Sequence, residues 1–94
     1  MNRKEVYTAI DSERDYQDNK WLSTPESRHE HHSPEEWFIY IEDYVNEAKH
    51  ILSREAYGIC EQKAMDIMRK VGAMAVCAME QNGTKQREGF EKEI

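Results

Sequence analysis

Three stretches of the chain carry apolar residues at intervals of three and four, the spacing that puts side chains on one face of an α-helix. Residues 3–21 line up Val6, Ala9, Ile10, Glu13, Gln17 and Trp21, so this stripe begins apolar and turns polar before it closes on an indole. Polar residues entering a helix seam either hydrogen-bond across a contact or line a ligand site. Residues 34–52 line up Phe38, Ile41, Val45, Ala48 and Leu52, with Trp37, Tyr44 and Ile51 beside them. That width suits burial against two neighbours. Residues 59–82 line up Ala64, Met68, Val71, Gly72, Ala75, Ala78 and Met79. A stripe with so little bulk predicts a partner helix at the short end of the usual 8–10 Å spacing. In a chain of 94 residues, that partner is expected from another subunit.

The punctuation between the stretches agrees with this reading. Pro25 breaks the pattern after the first helix. Ser33-Pro34-Glu35-Glu36 is a helix start: serine at the N-cap, proline at the first helical position, and a glutamate three residues on to reach back to the cap. Arg54 to Gly58 is the next connection, and Gly83 closes the third helix, since glycine takes a left-handed terminal conformation without steric cost. Residues 84–94 form a polar C-terminal tail around Phe90 and Ile94. The expected fold is all-α: one domain over residues 1–94, with three principal helices in a small antiparallel bundle completed by oligomerisation into a homodimer or homotetramer.

Composition narrows the function classes. A net charge of −6 argues against a nucleic acid polymer as partner, because backbone binding needs a positive surface that displaces counterions. A small anion needs only local potential and donor geometry, so a nucleotide-like ligand is compatible with an acidic chain. The least polar run, Val71 to Met79, is far below membrane-spanning length, the opening residues lack the apolar run of a signal peptide, and two cysteines, Cys60 and Cys77, are too few for a disulfide framework. These features predict a cytoplasmic protein without a membrane partner.

Two groups of residues have chemistry to offer. His29, His31 and His32, with Glu26 and Glu30 nearby, resemble a metal cluster, but their spacing fits no zinc pattern and a surface loop is expected. On the second helix, Glu42 and Asn46 stand one turn apart, as do Asp43 and Glu47, so each pair presents oxygen atoms on one face, as magnesium bound to a nucleotide requires.

The run Ile10-Asp-Ser-Glu-Arg-Asp-Tyr-Gln-Asp-Asn-Lys-Trp21, a histidine-containing loop, Trp37 opening an acidic helix, and Val71-Gly-Ala-Met-Ala-Val76 in a late helix together resemble small phage and prophage proteins related to the MazG-like all-α nucleotide pyrophosphohydrolases. The resemblance spans about residues 7 to 89. In that family a Glu-Glu-x-x-Glu element and a later Glu-x-x-Asp element hold magnesium around a nucleoside triphosphate. Here Glu42 and Asp43 match the leading pair, the third position is Asn46 with Glu47 displaced by one, the later position is Lys70, and Asp66 is one place away from the remaining carboxylate, where Ile67 stands. One residue of displacement turns a side chain by about 100° around a helix.

The resemblance therefore implies a metal site without its second half, and a cation, Lys70, that can neutralise a phosphate directly. The expectation is capture of a nucleotide-like ligand without hydrolysis by a phage-type accessory protein, acting in the host cytoplasm if phage-encoded. The candidate ligand-binding residues are Glu13, Arg14, Gln17, Trp21, Glu42, Asp43, Arg69 and Lys70, with no catalytic residue and no resident metal. Lys70 has an alternative role, a salt bridge to Glu42 or Asp43. Two alternatives remain for the whole protein: a magnesium-dependent pyrophosphohydrolase, or a helical module whose Trp21, Trp37 or Phe90 contacts a host protein.

Overall fold

The computed structural model describes residues 1–21, 31–54 and 58–89. It contains three helices, α1 (Arg3–Trp21), α2 (Pro34–Arg54) and α3 (Ile59–Asn82), and no strand among the described residues. None of these helices is long and apolar enough to cross a membrane. The boundaries follow the sequence pattern except at the end of α2, which runs two residues past the expected Leu52. The cluster of His29, Glu26 and Glu30 lies outside the described residues, as do Phe90 and Ile94.

At all three helix starts, a glutamate three residues on accepts from the backbone amide of the cap residue. The Glu36 amide donates to Ser33 Oγ at 3.2 Å, and the Ser33 amide donates to Glu36 Oε1 at 3.0 Å. This is the reciprocal capping arrangement expected from the sequence. Asn2 and Glu5 repeat it at the start of α1, with the Glu5 amide 2.8 Å from Asn2 Oδ1 and the Asn2 amide 3.3 Å from Glu5 Oε1. At α3 the cap residue is Gly58, at φ 93°, and only the returning half exists, with the Gly58 amide donating to Glu61 Oε2 at 2.6 Å. Gly83, at φ 85°, closes α3 by donating its amide to Met79 O at 2.7 Å.

The long helix α3 is the common partner, against which α1 and α2 each make their main packing contacts. The start of α2 lies beside the end of α3, where Trp37 Nε1 donates to Gln81 Oε1 at 2.9 Å. Trp37, Met74 and Cys77 form the core cluster, with Trp21, Ile41, Tyr44 and Ala78 packed around it. Trp37, which the pattern sets beside the main stripe, is therefore the centre of the core and only 4% exposed. Trp21 and Trp37 meet at a centroid distance of 6.3 Å, bringing the end of α1 to α2.

Two faces differ from expectation. On α3 the buried residues are Cys60, Ala64, Ile67, Ala73, Met74 and Cys77, whereas Met68 and Met79 of the expected stripe are 58% and 44% exposed. The bulkier Ile67 and Met74 are buried together with Ala64, while Val71, Gly72, Ala75 and Ala78 of the small-residue stripe are only partly covered. Gly72 takes a neighbour from within the chain: a β-carbon there would stand 3.3 Å from Ile10 Cδ1, on α1. Most of the stripe instead joins Phe38, Ile41, Val45, Ala48 and Leu52 of α2 to line an open apolar groove along the α2–α3 pair. On α1 the expected apolar start is only partly covered, with Val6 41% exposed and Ala9 and Ile10 half-buried, and the buried residues are Glu13, Arg14 and Gln17. The α1–α3 contact is thus held by polar groups to an unusual degree, since charged side chains are seldom buried unless paired.

Candidate functional site

The polar contact begins with Glu13, whose buried carboxylate accepts from Arg69 Nε at 2.8 Å. Arg69 also reaches Asp66, with Nη1 3.1 Å from Oδ1. The hydrogen bond to Glu13 raises the guanidinium pKa despite some desolvation, so Arg69 is a fixed cation occupied by two carboxylates. The next residue of α1, Arg14, donates from Nε to Glu80 and from Nη2 to Asp18, both at 2.9 Å. Burial alone would lower its pKa, but the hydrogen bonds to Glu80 and Asp18 outweigh this and raise it. Cys77 lies near this ion group, and burial pushes its thiol pKa upward.

Gln17, one turn beyond, is 6% exposed. Its Nε2 donates to Lys70 O at 3.4 Å, while its Oε1 is buried with no hydrogen-bond donor. Such an acceptor carries a desolvation cost of about 1–3 kcal/mol until a donor arrives. Gln17 lines a cleft of ≈ 330 Å³ together with Glu13, Lys20, Trp21, Tyr44 and Lys70. The Lys70 ammonium stands 5.9 Å above the Tyr44 ring rather than in an ion pair with Glu42 or Asp43. This arrangement lets an aromatic face stabilise a cation without neutralising it.

A second lobe of ≈ 280 Å³ shares Trp21, Tyr44 and Met74 with the first and extends to His32, Trp37, Tyr40 and Asp43. Its walls are aromatic: the His32 ring meets Trp37 at 5.4 Å and Tyr40 at 5.0 Å, both nearly edge-on. Gln81 and Asn82 fix this wall from the end of α3. Gln81 Oε1 accepts from Trp37 Nε1 at 2.9 Å and from the His32 amide at 3.0 Å, its carbonyl lies 2.9 Å from His31 Nε2, and Asn82 Nδ2 donates to His32 O at 3.0 Å. Together the two lobes fall in the size range of small-molecule sites, which are mostly apolar with a few placed polar groups.

Of the residues proposed from sequence, Glu13, Gln17, Trp21, Asp43, Arg69 and Lys70 come together around this cleft. Arg14 does not line it; next to Glu13 in sequence, it is turned by about 100° around α1 and directed to Glu80 and Asp18. Glu42 is exposed and also lies outside its lining, because a residue adjacent to Asp43 is turned by about 100° around α2. Asn46 and Glu47 line a separate open depression with His50 and Arg54. The aromatic wall of Trp37, Tyr40 and Tyr44 was not proposed, although its spacing of three and four residues along α2 is a readable signal. His32 and Gln81 carry no such signal, since a long-range hydrogen bond defines their place. No protein-family model, curated protein or solved structure matches the chain.

Proposed function

We propose that the cleft captures a nucleotide-like ligand without hydrolysing it, with the base against Trp21 and the α2 aromatics and the phosphate toward Lys70. The observation that carries this reading is the Gln17 side chain, buried in the cleft wall with its Oε1 lacking a donor. A nucleobase supplies amino or ring N–H donors beside a flat apolar face, and base–aromatic stacking contributes roughly 1–3 kcal/mol per base. Lys70 adds a cation left outside the carboxylate pairs, which suits a phosphate bound without a metal. The wider setting, a phage-type accessory protein acting in a host cytoplasm, rests on the sequence resemblance. An antiparallel α2–α3 pair within a small bundle is supported by Trp37 against Gln81 at one end and Leu52 beside Glu61 at the other.

Calorimetry of the purified chain against nucleoside mono-, di- and triphosphates and dinucleotides tests the reading. A saturable heat with at least one class is expected, weakened tenfold or more by Trp21→Ala and by Lys70→Ala and unaffected by Glu42→Gln. Absence of binding across all classes would overturn it. Magnesium-dependent release of pyrophosphate, lost in Glu42→Gln, would establish the enzyme reading instead.

A further inference from the structure

Among the described residues, the groove along α2 and α3 is a long apolar face that no other element covers. Its floor is made of short side chains, Ala48 and Ala64 toward one end and Ala75 and Ala78 toward the other. Large side chains stand around it: Phe38 is 75% exposed, Met65 61%, Met68 58%, Leu52 47%, Met79 44% and Val45 42%. At roughly 200 Å² for a large side chain, these six expose about 600 Å² of apolar surface. A stable interface takes about 800 Å² from each partner, so the uncovered face is close to one complete half of such an interface. Its charged lining residues are Lys49 on the α2 lip and Glu61 on the α3 lip, which gives the apolar centre and polar rim typical of an interface.

We propose that this face is covered by the same face of a second copy of the chain. The argument for a copy rather than an unrelated partner is self-complementarity, which a two-fold interface demands because each residue type must find its counterpart on an identical surface. Phe38 and Met79 line one end of the groove, and Ala48, Leu52 and Ala64 line the other. A two-fold axis crossing the groove near Val45 and Val71 carries Phe38 of one copy to Ala48 and Leu52 of the other. The same rotation brings Met79 over Ala64. The small-residue stripe of α3 thereby receives the close-packed neighbour that its composition calls for, and the pairing does not depend on what the ligand cleft binds.

Sedimentation of the full chain from 1 to 100 µM is expected to show a dimer, or an even-numbered assembly that passes through a dimer on dilution. Phe38→Glu and Met68→Glu alter exposed side chains and are expected to raise the dissociation constant at least 100-fold with helicity by circular dichroism unchanged. Oxidative footprinting of the wild-type chain gives a second reading without any substitution. Met65, Met68 and Met79 should be protected several-fold at 100 µM relative to Met1, which is 88% exposed, and should lose that protection on dilution. A monomer at 100 µM, a trimer, an assembly indifferent to both substitutions, or groove methionines as reactive as Met1 would each overturn the proposal.

Discussion

Gly72 sits inside α3, where glycine costs about 1 kcal/mol relative to alanine through backbone entropy. Gly72→Ala recovers that amount and adds a β-carbon 3.3 Å from Ile10 Cδ1 and 3.4 Å from Ile10 Cγ1. The first is slightly tighter than comfortable van der Waals contact and the second lies at its edge, but the nearer atom is the terminal methyl of a half-buried side chain. A small rotation of Ile10 relieves them at a cost of about 0.5 kcal/mol, at the low end of an off-rotamer penalty. The net expectation is stabilisation of about 0.5 kcal/mol, read as a higher urea midpoint. In an Ile10→Val background the nearest atom is gone, so the same glycine substitution should contribute close to the full 1 kcal/mol, leaving a coupling of about 0.5 kcal/mol. Gly72→Leu cannot be relieved this way and lifts α1 from α3, with a loss of about 1–3 kcal/mol. Destabilisation by Gly72→Ala of more than 1 kcal/mol, or a neutral Gly72→Leu, would show that Ile10 does not pack there and would refute the argument.

Three other substitutions or conditions check separate parts of the structure. Gln81→Ala leaves the Trp37 indole N–H and the His32 amide without their acceptor and should cost about 1–3 kcal/mol in chemical denaturation; a cost under about 0.5 kcal/mol would mean water replaces the side chain freely. Ser33→Ala removes the acceptor for the Glu36 amide and should cost about 1 kcal/mol. The Ser33 amide and hydroxyl hold the Glu36 pKa below the usual carboxylate range, so the cap's contribution is complete above about pH 4.3 and declines as pH falls through the lower folded-state value. Amide chemical shifts at Ser33 and Glu36 followed in acid should titrate together below that point. Burial raises the Cys77 thiol, so the contribution of the neutral thiol is complete below about pH 8.5 and declines as pH rises toward the folded-state value. Cys77→Ala should flatten the alkaline loss of stability, and an identical alkaline profile in that variant would exclude the thiol as its cause.

The helices themselves were legible because each rests on local information: a three-to-four residue period and a glutamate three places after the cap. Even the cap missed in the sequence reading, Asn2 with Glu5, has that spacing. Which stripe becomes core was harder to read, since α3 carries two adjacent faces that could serve. Ile67, Ala73, Met74 and Cys77 are buried within the chain, whereas Met65, Met68 and Met79, with as much area to offer, are left at the groove, a choice of face that side-chain size alone does not make. Glu13 and Gln17 stood out in sequence because they interrupt an apolar stripe that closes on Trp21, and all three line the cleft. Gln81, His32 and the outward turn of Glu42 depend on how α2 meets α3, which no local pattern encodes.

The polar character of the α1–α3 contact sets an order of opening. The α2–α3 pair shares the Trp37, Met74 and Cys77 cluster, whereas α1 is held largely through Glu13, Arg14 and Gln17, whose net contribution must offset the cost of burying them. Native-state hydrogen exchange should therefore find the α1 amides released at a lower free energy than those in the middle of α3. The cleft takes Gln17 and Trp21 from the more easily detached helix and Tyr44, Lys70 and Met74 from the firmer pair. A molecule lodged there spans the two cooperative units, so its occupancy becomes measurable as slowed exchange along α1, far from any atom it touches.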